Sequence, residues 1–311
     1  MKKIFALLAA FVLFATGCSS VLKQEDNGKI NVVCVNFPQY DFARNIAGGS
    51  ANVTMLLPPG SESHTFEPSP QDIIKIQNAD LFIYTGGESD NWVKEILRSV
   101  KNEKAETIRL LDVCDNLSEE YTEGMEQDGH EHENEHETDE HIWTSPVNAV
   151  KICKEITDKL AIIDGDNAEK YSQNYNDYSE KLTKLDSKFR EIVSGAKRKT
   201  VVFGDRFPFR YFVEEYGLDY YAAFPGCAEE TEASISTVTF LVDKVREEKI
   251  PVVFYTEFSD HRLADTIAAE SGAKSMRFNS CHNVTKEQFD SGIGYVDLME
   301  ENTKALEEAL N

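Results

Sequence analysis

The sequence predicts an α/β protein of two lobes, each a mostly parallel sheet with flanking helices, joined by one long helix. Three observations predict it. Short β-branched runs alternate with helical patterns in both halves of the chain, the signature of a parallel sheet covered on both faces. One proline-free helical pattern of about 30 residues, a rod of roughly 45 Å, separates the halves. A chain of 311 residues, 41% of them hydrophobic, also holds more core material than one minimal domain needs.

In chain order, residues 29–35 (KINVVCV) are a β-branched run and 37–47 read as helix. Residues 52–57 form a second strand, ended by the turn Pro58-Pro59-Gly60. Helical spacing over 71–79 leads to a strand at 81–84, closed by Gly86-Gly87. A helix over 91–100 then carries Trp92, Val93, Ile96 and Leu97 on one apolar face. Another helix begins near Pro146, where Ser145 can cap and proline suits the first turn. The long pattern over 167–198 places Tyr171, Tyr175, Tyr178, Leu182, Leu185 and Phe189 on one face. Asp166 or Asn167 can cap its start, and Gly195 ends it. In the second half, strands at 200–203, 218–224 and 251–256 alternate with helices at 209–216, 236–248 and 261–271, and a helix over 295–310 closes the chain. The resulting organisation is a first Rossmann-like lobe over 29–164, a linking helix over 165–198 and a second Rossmann-like lobe over 199–311.

Asp and Glu number 55 against 32 Lys and Arg, a formal net charge of -23. Such a surface repels phosphate, which excludes a basic nucleic-acid footprint and favours cations as partners. The one apolar run suited to a membrane is MKKIFALLAAFVLFATGCSS at the N-terminus. Lys2 and Lys3 precede an apolar stretch too short to span a bilayer, and the small residues Ala15-Thr16-Gly17 stand before Cys18. The pattern resembles a bacterial lipobox. It implies a signal peptide over 1–17, lipid on Cys18, a tether over 18–28 and residence on the outer face of the cell membrane.

Residues 119–140 (EEYTEGMEQDGHEHENEHETDE) intersperse His130, His132 and His136 with carboxylates and hold almost no apolar residue. Such a segment is expected to be a disordered surface loop, and imidazole beside carboxylate suits weak capture of zinc or a similar divalent ion. Four ordered places could carry chemistry. His64 follows the Pro-Pro-Gly-Ser turn, and His141 precedes the helix at Pro146. Asp205 and Arg206 stand at a strand end in VVFGDRFPFRYF, and Cys281 and His282 stand in FNSCHN before the last helix. Strand-end loops are where open α/β sheets place ligands, and a mixed nitrogen, oxygen and sulfur set reaching across an interlobe cleft suits zinc.

Together, the lipobox, GSESHTFEPSPQD, DLFIYTGGESDNWV, the His-rich loop with DEHIWTSPVNA, and the RYF and EEYGL stretches resemble the metal-binding lipoproteins of bacterial zinc and manganese ABC importers. The resemblance runs in order along the whole mature chain. It implies two α/β lobes bridged by a rigid helix, one metal ion bound between them, and delivery of that ion to a membrane permease by a monomer without catalytic residues. By motif match His64 and His141 are the first-lobe ligands, and the acidic His-bearing loop points to Zn2+ rather than Mn2+ as cargo.

The sequence departs from the family at the third ligand. Relatives place His or Glu five residues before the aromatic pair that is Tyr211-Phe212 here, and Arg206 stands there; a guanidinium cannot bind a cation. Asp205 is the nearest usable donor. The fourth position falls at His282 or its neighbours Cys281 and Asn283, with His282 preferred. Glu257, at the end of PVVFYTE, is an interlobe carboxylate that could equally pair with Arg206. Of the cysteines beyond Cys18, Cys34 and Cys153 read as small core residues, and Cys227 with Cys281 is the candidate disulfide near the cleft. An extracytoplasmic metallohydrolase finds no HExxH-type helix in support. A surface adhesin that binds metal incidentally is the other alternative, separable by growth in zinc-depleted medium.

Overall fold

The structure, a computed structural model, describes residues 28–62, 65–99, 105–126, 138–228 and 232–311. The expected signal peptide, Cys18, His64, and the three histidines of the acidic loop lie outside these residues. Two parallel four-stranded sheets organise the rest. The first has the order β2-β1-β3-β4, from β1 (Asn31–Cys34), β2 (Asn52–Met55), β3 (Leu81–Tyr84) and β4 (Glu106–Arg109). The second has the order β6-β5-β7-β8, from β5 (Thr200–Phe207), β6 (Asp219–Pro225), β7 (Val252–Tyr255) and β8 (Lys274–Arg277).

Central strands are buried on both faces, so they read as apolar runs: Leu81, Phe82 and Ile83 in β3, and Val252, Val253 and Phe254 in β7, are all within 1% of full burial. The helices of the first lobe are α1 (Phe37–Ala47), α2 (Pro70–Gln77), α3 (Asn91–Ser99) and α4 (Pro146–Ile163). Ser69 caps α2 by accepting from Asp72 N–H, and Ser145 caps α4 by accepting from Asn148 N–H. The long helix is α5 (Ala168–Gly195). Its expected inner face is the observed one, because Tyr171, Tyr178, Leu182, Leu185 and Phe189 are buried and Tyr175 partly so. It packs on α1, α4 and the last helix, and so touches both lobes. The second lobe holds α6 (Arg210–Tyr216), α7 (Ile235–Glu248), α8 (Arg262–Ser271), α9 (Lys286–Ser291) and α10 (Tyr295–Leu310).

Two features differ from the sequence expectation and bear on the cleft. Strand β5 does not stop at Phe203 but runs to Phe207, with a register shift between Phe203 and Arg206. Gly204 sits in that shift because α8 crosses it closely: a Cβ there would stand 2.6 Å from the Ala264 Cα. The acidic loop is also not exposed along its whole expected span. Met125, Asp139 and Glu140 are buried. Glu126 N–H donates to Ala223 O on the edge strand β6, while its Oε2 accepts from Ser234 N and Thr237 Oγ1 at 2.8 Å each. Glu119 Oε1 accepts from Cys227 N and Glu140 Oε1 from Ser89 N, both at 2.9 Å. Carboxylates can be buried here because backbone N–H groups of turns and a helix start satisfy them.

The lobes are joined through a buried polar knot as well as by α5. Asp41 on α1 is fully buried and accepts from Tyr178 Oη on α5 at 2.8 Å and from Tyr295 N on α10 at 3.0 Å. Arg44 pairs with the same carboxylate at 2.6 Å and donates to Ile293 O. Tyr295 Oη donates to Trp143 O at 2.7 Å, and Trp143 Nε1 donates to Ser280 O at 2.9 Å.

Candidate metal centre

The carboxyl ends of strands from both sheets converge on a small solvent-open cleft. Ser61 and Glu62 reach it from the turn after β2, and His141 from the segment before α4. Arg206 and Pro208 come from the end of β5, Gly226 from the turn after β6, Glu257 and Phe258 from the loop after β7, and Ser280, His282 and Asn283 from the turn after β8. This is the crevice that parallel α/β sheets make outside their carboxyl edges.

His141 is 1% exposed and is held at two points by one oxygen. Asp139 Oδ1 accepts from His141 N at 2.8 Å and meets Nδ1 at 3.2 Å. With Nδ1 on the carboxylate, Nε2 is the nitrogen that would meet a metal, the arrangement common to metal-binding imidazoles. Burial disfavours the charged ring, but the Asp139 carboxylate, with Glu140 and Glu119 behind it, outweighs that and raises the His141 pKa. Gly226 leaves the room this ring needs, since a Cβ there would stand 3.2 Å from His141 Cε1.

His282 comes from the other lobe. Its ring lies 5.4 Å from that of His141 at 86°, and 4.9 Å from the Trp143 indole. The turn that presents it wraps around Glu257. Ser280 N donates to Oε2 at 2.7 Å, and Ser280 Oγ and His282 N donate to Oε1 at 2.8 and 3.1 Å. Burial raises the Glu257 pKa against these donors. Cys281, in the middle of the turn, adopts φ 60, left-handed space that a side chain rarely takes and that marks a constrained turn.

Asp205 does not line the cleft. Its Oδ2 accepts from Thr256 N and Thr256 Oγ1 at 2.8 Å each, and its Oδ1 accepts from Arg206 N at 2.8 Å. The register shift in β5 turns the carboxylate toward β7, so its work is to fix the strand ends. Arg206 does line the cleft, and its partner is Glu62 at 3.1 Å rather than Glu257, with Nη1 donating to Ala228 O at 3.4 Å. Glu257 is enclosed by the 280–282 turn, which leaves the guanidinium to the first lobe. The expected Cys227–Cys281 bridge is absent, both being free thiols. Cys281 is fully buried with its thiol pKa pushed well up by burial, which keeps it a protonated core group.

The structure therefore brings together His141, His282, Glu257 and Arg206 and sets Asp205 behind them, while His64 lies just beyond the described turn. Among the described residues, no group of three His, Cys, Asp or Glu is placed to hold a metal ion. Asp139 and Trp143 were not singled out from the sequence. The Asp-Glu-His order of residues 139–141 held a signal for the first, since a carboxylate two residues before a histidine can reach its ring nitrogen.

The profile of the family described as ZnuA, zinc-uptake complex component A, periplasmic, matches residues 32–309. The zinc-binding lipoprotein AdcA of Streptococcus pneumoniae is 35% identical over 313 residues, covering 99% of this chain and 61% of that protein. The high-affinity zinc uptake system protein ZnuA of Bacillus subtilis is 34% identical over 318 residues, covering 99% of this chain and 97% of that protein. The chain thus spans about three-fifths of the length of AdcA and nearly all of the Bacillus protein. Among solved structures, the Zn(II)-bound ZnuA-like domain of S. pneumoniae AdcA aligns with a TM-score of 0.75 at 33% identity, covering 91% of this chain and 99% of that one. The metal-dependent lipoprotein YcdH of B. subtilis aligns with a TM-score of 0.78 at 31% identity, covering 91% and 100%.

Proposed function

Because this chain belongs to the zinc-uptake complex component A family, we propose that it captures a zinc ion between its lobes outside the cytoplasm and hands it to an ABC permease. The observation that carries this reading is the pairing of His141 and His282, one from each lobe, across one cleft. Imidazole nitrogens suit zinc, whereas six-coordinate manganese is better served by oxygen donors. We assign His64, His141 and His282 as ligands. Glu257 holds the 280–282 turn that presents His282. Asp205 supports the site from behind. Carboxylates outnumber the one guanidinium at the cleft, which favours a divalent cation. The family is one of transport components that bind their cargo, and the role is binding, not catalysis. Lipid on Cys18 would hold the protein, as a monomer, at the outer face of the membrane that contains the permease.

Competition titration with elemental analysis of the mature chain tests this. One zinc per chain is expected, and His64→Ala or His141→Ala should lower affinity on the order of 100-fold or more, since each removes a ligand. Undiminished zinc affinity in the double variant refutes the assignment.

A further inference from the structure

We propose that Asn283 and Arg206, both on the second lobe, are positioning residues that set where the first lobe's 58–62 turn stands at the cleft. The inference rests on the zinc-binding reading above. The turn's ties to its own sheet end at Leu57, whose N–H donates to Val35 O at 2.9 Å. Beyond that point its long-range hydrogen bonds run to the other lobe. Gly60, at φ 83, aims its N–H at Val284 O, 2.8 Å away. Pro58 and Pro59 have no N–H to give; Pro58 O accepts from Ser61 N at 3.1 Å within the turn, and it and Ser61 O remain open to outside donors. Asn283 supplies them: Nδ2 donates to Pro58 O and to Ser61 O at 2.9 Å each.

Asn283 is 2% exposed, and its own Oδ1 accepts from Val284 N at 2.8 Å. That bond orients the amide so that both hydrogens of Nδ2 face the turn. The task needs two donors on one atom and an acceptor on the other, which asparagine has and aspartate lacks. Since Asn283 adjoins His282, one amide couples the neighbours of two assigned ligands. Arg206 makes the second tie through Glu62, two residues before His64. Its backbone is fixed by Asp205 and its Nη1 by Ala228 O, so the reach across the cleft starts from a held position. The knot at Asp41 and the Trp143–Ser280 bond lie apart from this turn. Loss of the clamp would therefore loosen the turn without parting the lobes.

The test compares Asn283→Ala, Asn283→Asp, Arg206→Gln and Arg206→Lys in the full mature chain by zinc competition titration. Amide hydrogen exchange over 57–62 and around Trp143 and Tyr295 is measured on the zinc-free protein. Asn283→Asp should lose on the order of 10- to 100-fold in affinity, because it sets a carboxylate against two carbonyl oxygens, and Asn283→Ala should lose less. Arg206→Gln should lose about 3- to 5-fold, and Arg206→Lys, which keeps the charge opposite Glu62, should stay near wild type. Exchange should quicken over 57–62 in the three weakened variants and stay slow around Trp143 and Tyr295. The proposal is overturned if Asn283→Ala binds zinc as wild type does, or if affinity falls while exchange over 57–62 is unchanged. Should Asn283→Asp fail to fold, Asn283→Ala decides. A wild-type chain that binds no zinc would refute the functional reading instead, and the exchange comparison would still decide the clamp.

Discussion

At the scale of single residues, the cleft is built by side chains that hold other side chains still. Asp139 does this for His141, and replacing it with Asn should cost zinc affinity on the order of 10- to 100-fold, as lost outer partners of metal-binding imidazoles do. The same substitution removes the carboxylate that raises the His141 pKa. A raised pKa means that protons compete with the metal at higher pH than for an ordinary imidazole. In Asp139→Asn the acid loss of zinc affinity should therefore begin at lower pH than in the wild type, as a pH series of titrations would show. If both proteins lose zinc over the same pH range, Asp139 does not govern His141. Cys281→Ala should leave zinc affinity within about twofold, because a buried protonated thiol offers the metal no thiolate.

At the scale of elements, the 3₁₀ turn Glu88–Asp90 after β3 contains a carboxylate whose burial opposes its charge. Asp90 is 4% exposed, and burial, with the nearby Glu140 carboxylate, pushes its pKa up to about 7 against the N–H groups of Gly86 and Thr85. An acid whose pKa is raised on folding keeps its proton longer in the native state. Stability then falls as pH rises from about 4, the unfolded value, to about 7. One oxygen, Oδ2, accepts both backbone N–H groups, and an amide oxygen can do the same. Asp90→Asn should accordingly stabilise the fold on the order of 2 kcal/mol at pH 8 and by little at pH 4. Urea melts at both pH values measure it, and equal effects at the two would remove the buried charge as the cause. The acidic loop offers a second test. Deleting 127–137 alone should preserve the fold and the tight zinc site, while removing weaker zinc binding seen by calorimetry. Extending the deletion through Glu119 should destabilise the protein, because Glu119 and Glu126 tie the first lobe to Cys227 and Ser234.

At the scale of the whole molecule, the lobes behave as one packed unit because Asp41 joins α1, α5 and α10 in the interior. Asp41→Ala strips the partner from the half-buried Arg44 guanidinium, the Tyr178 hydroxyl and the Tyr295 N–H together. A loss of about 3–5 kcal/mol is expected from breaking such a pair. The measurement is a urea melt followed by Trp143 fluorescence, and a loss below about 1 kcal/mol would show that Asp41 is not what holds the lobes as one unit.

The sequence by itself determined the two alternating α/β halves, the apolar face of α5 from Tyr171 to Phe189, and His141 and His282 as candidates for one cleft. Those features follow from periodicity and from side chains that few other roles favour. Strands β4 and β8 were not legible. ETIR and KSMR are short and polar, and an edge strand needs few buried side chains to pair. Only the tertiary structure decided that Asp205 faces Thr256, that Arg206 reaches Glu62 and that Cys227 and Cys281 stay apart. Those outcomes depend on a register shift in β5 and on the wrap of 280–282 around Glu257, contacts between residues far apart in the chain. The flanks of the acidic loop are the clearest case. Their composition matches that of an exposed loop, and they pack onto the fold because backbone N–H groups from distant turns meet the half-buried Glu119 and Glu126 and the buried Glu140.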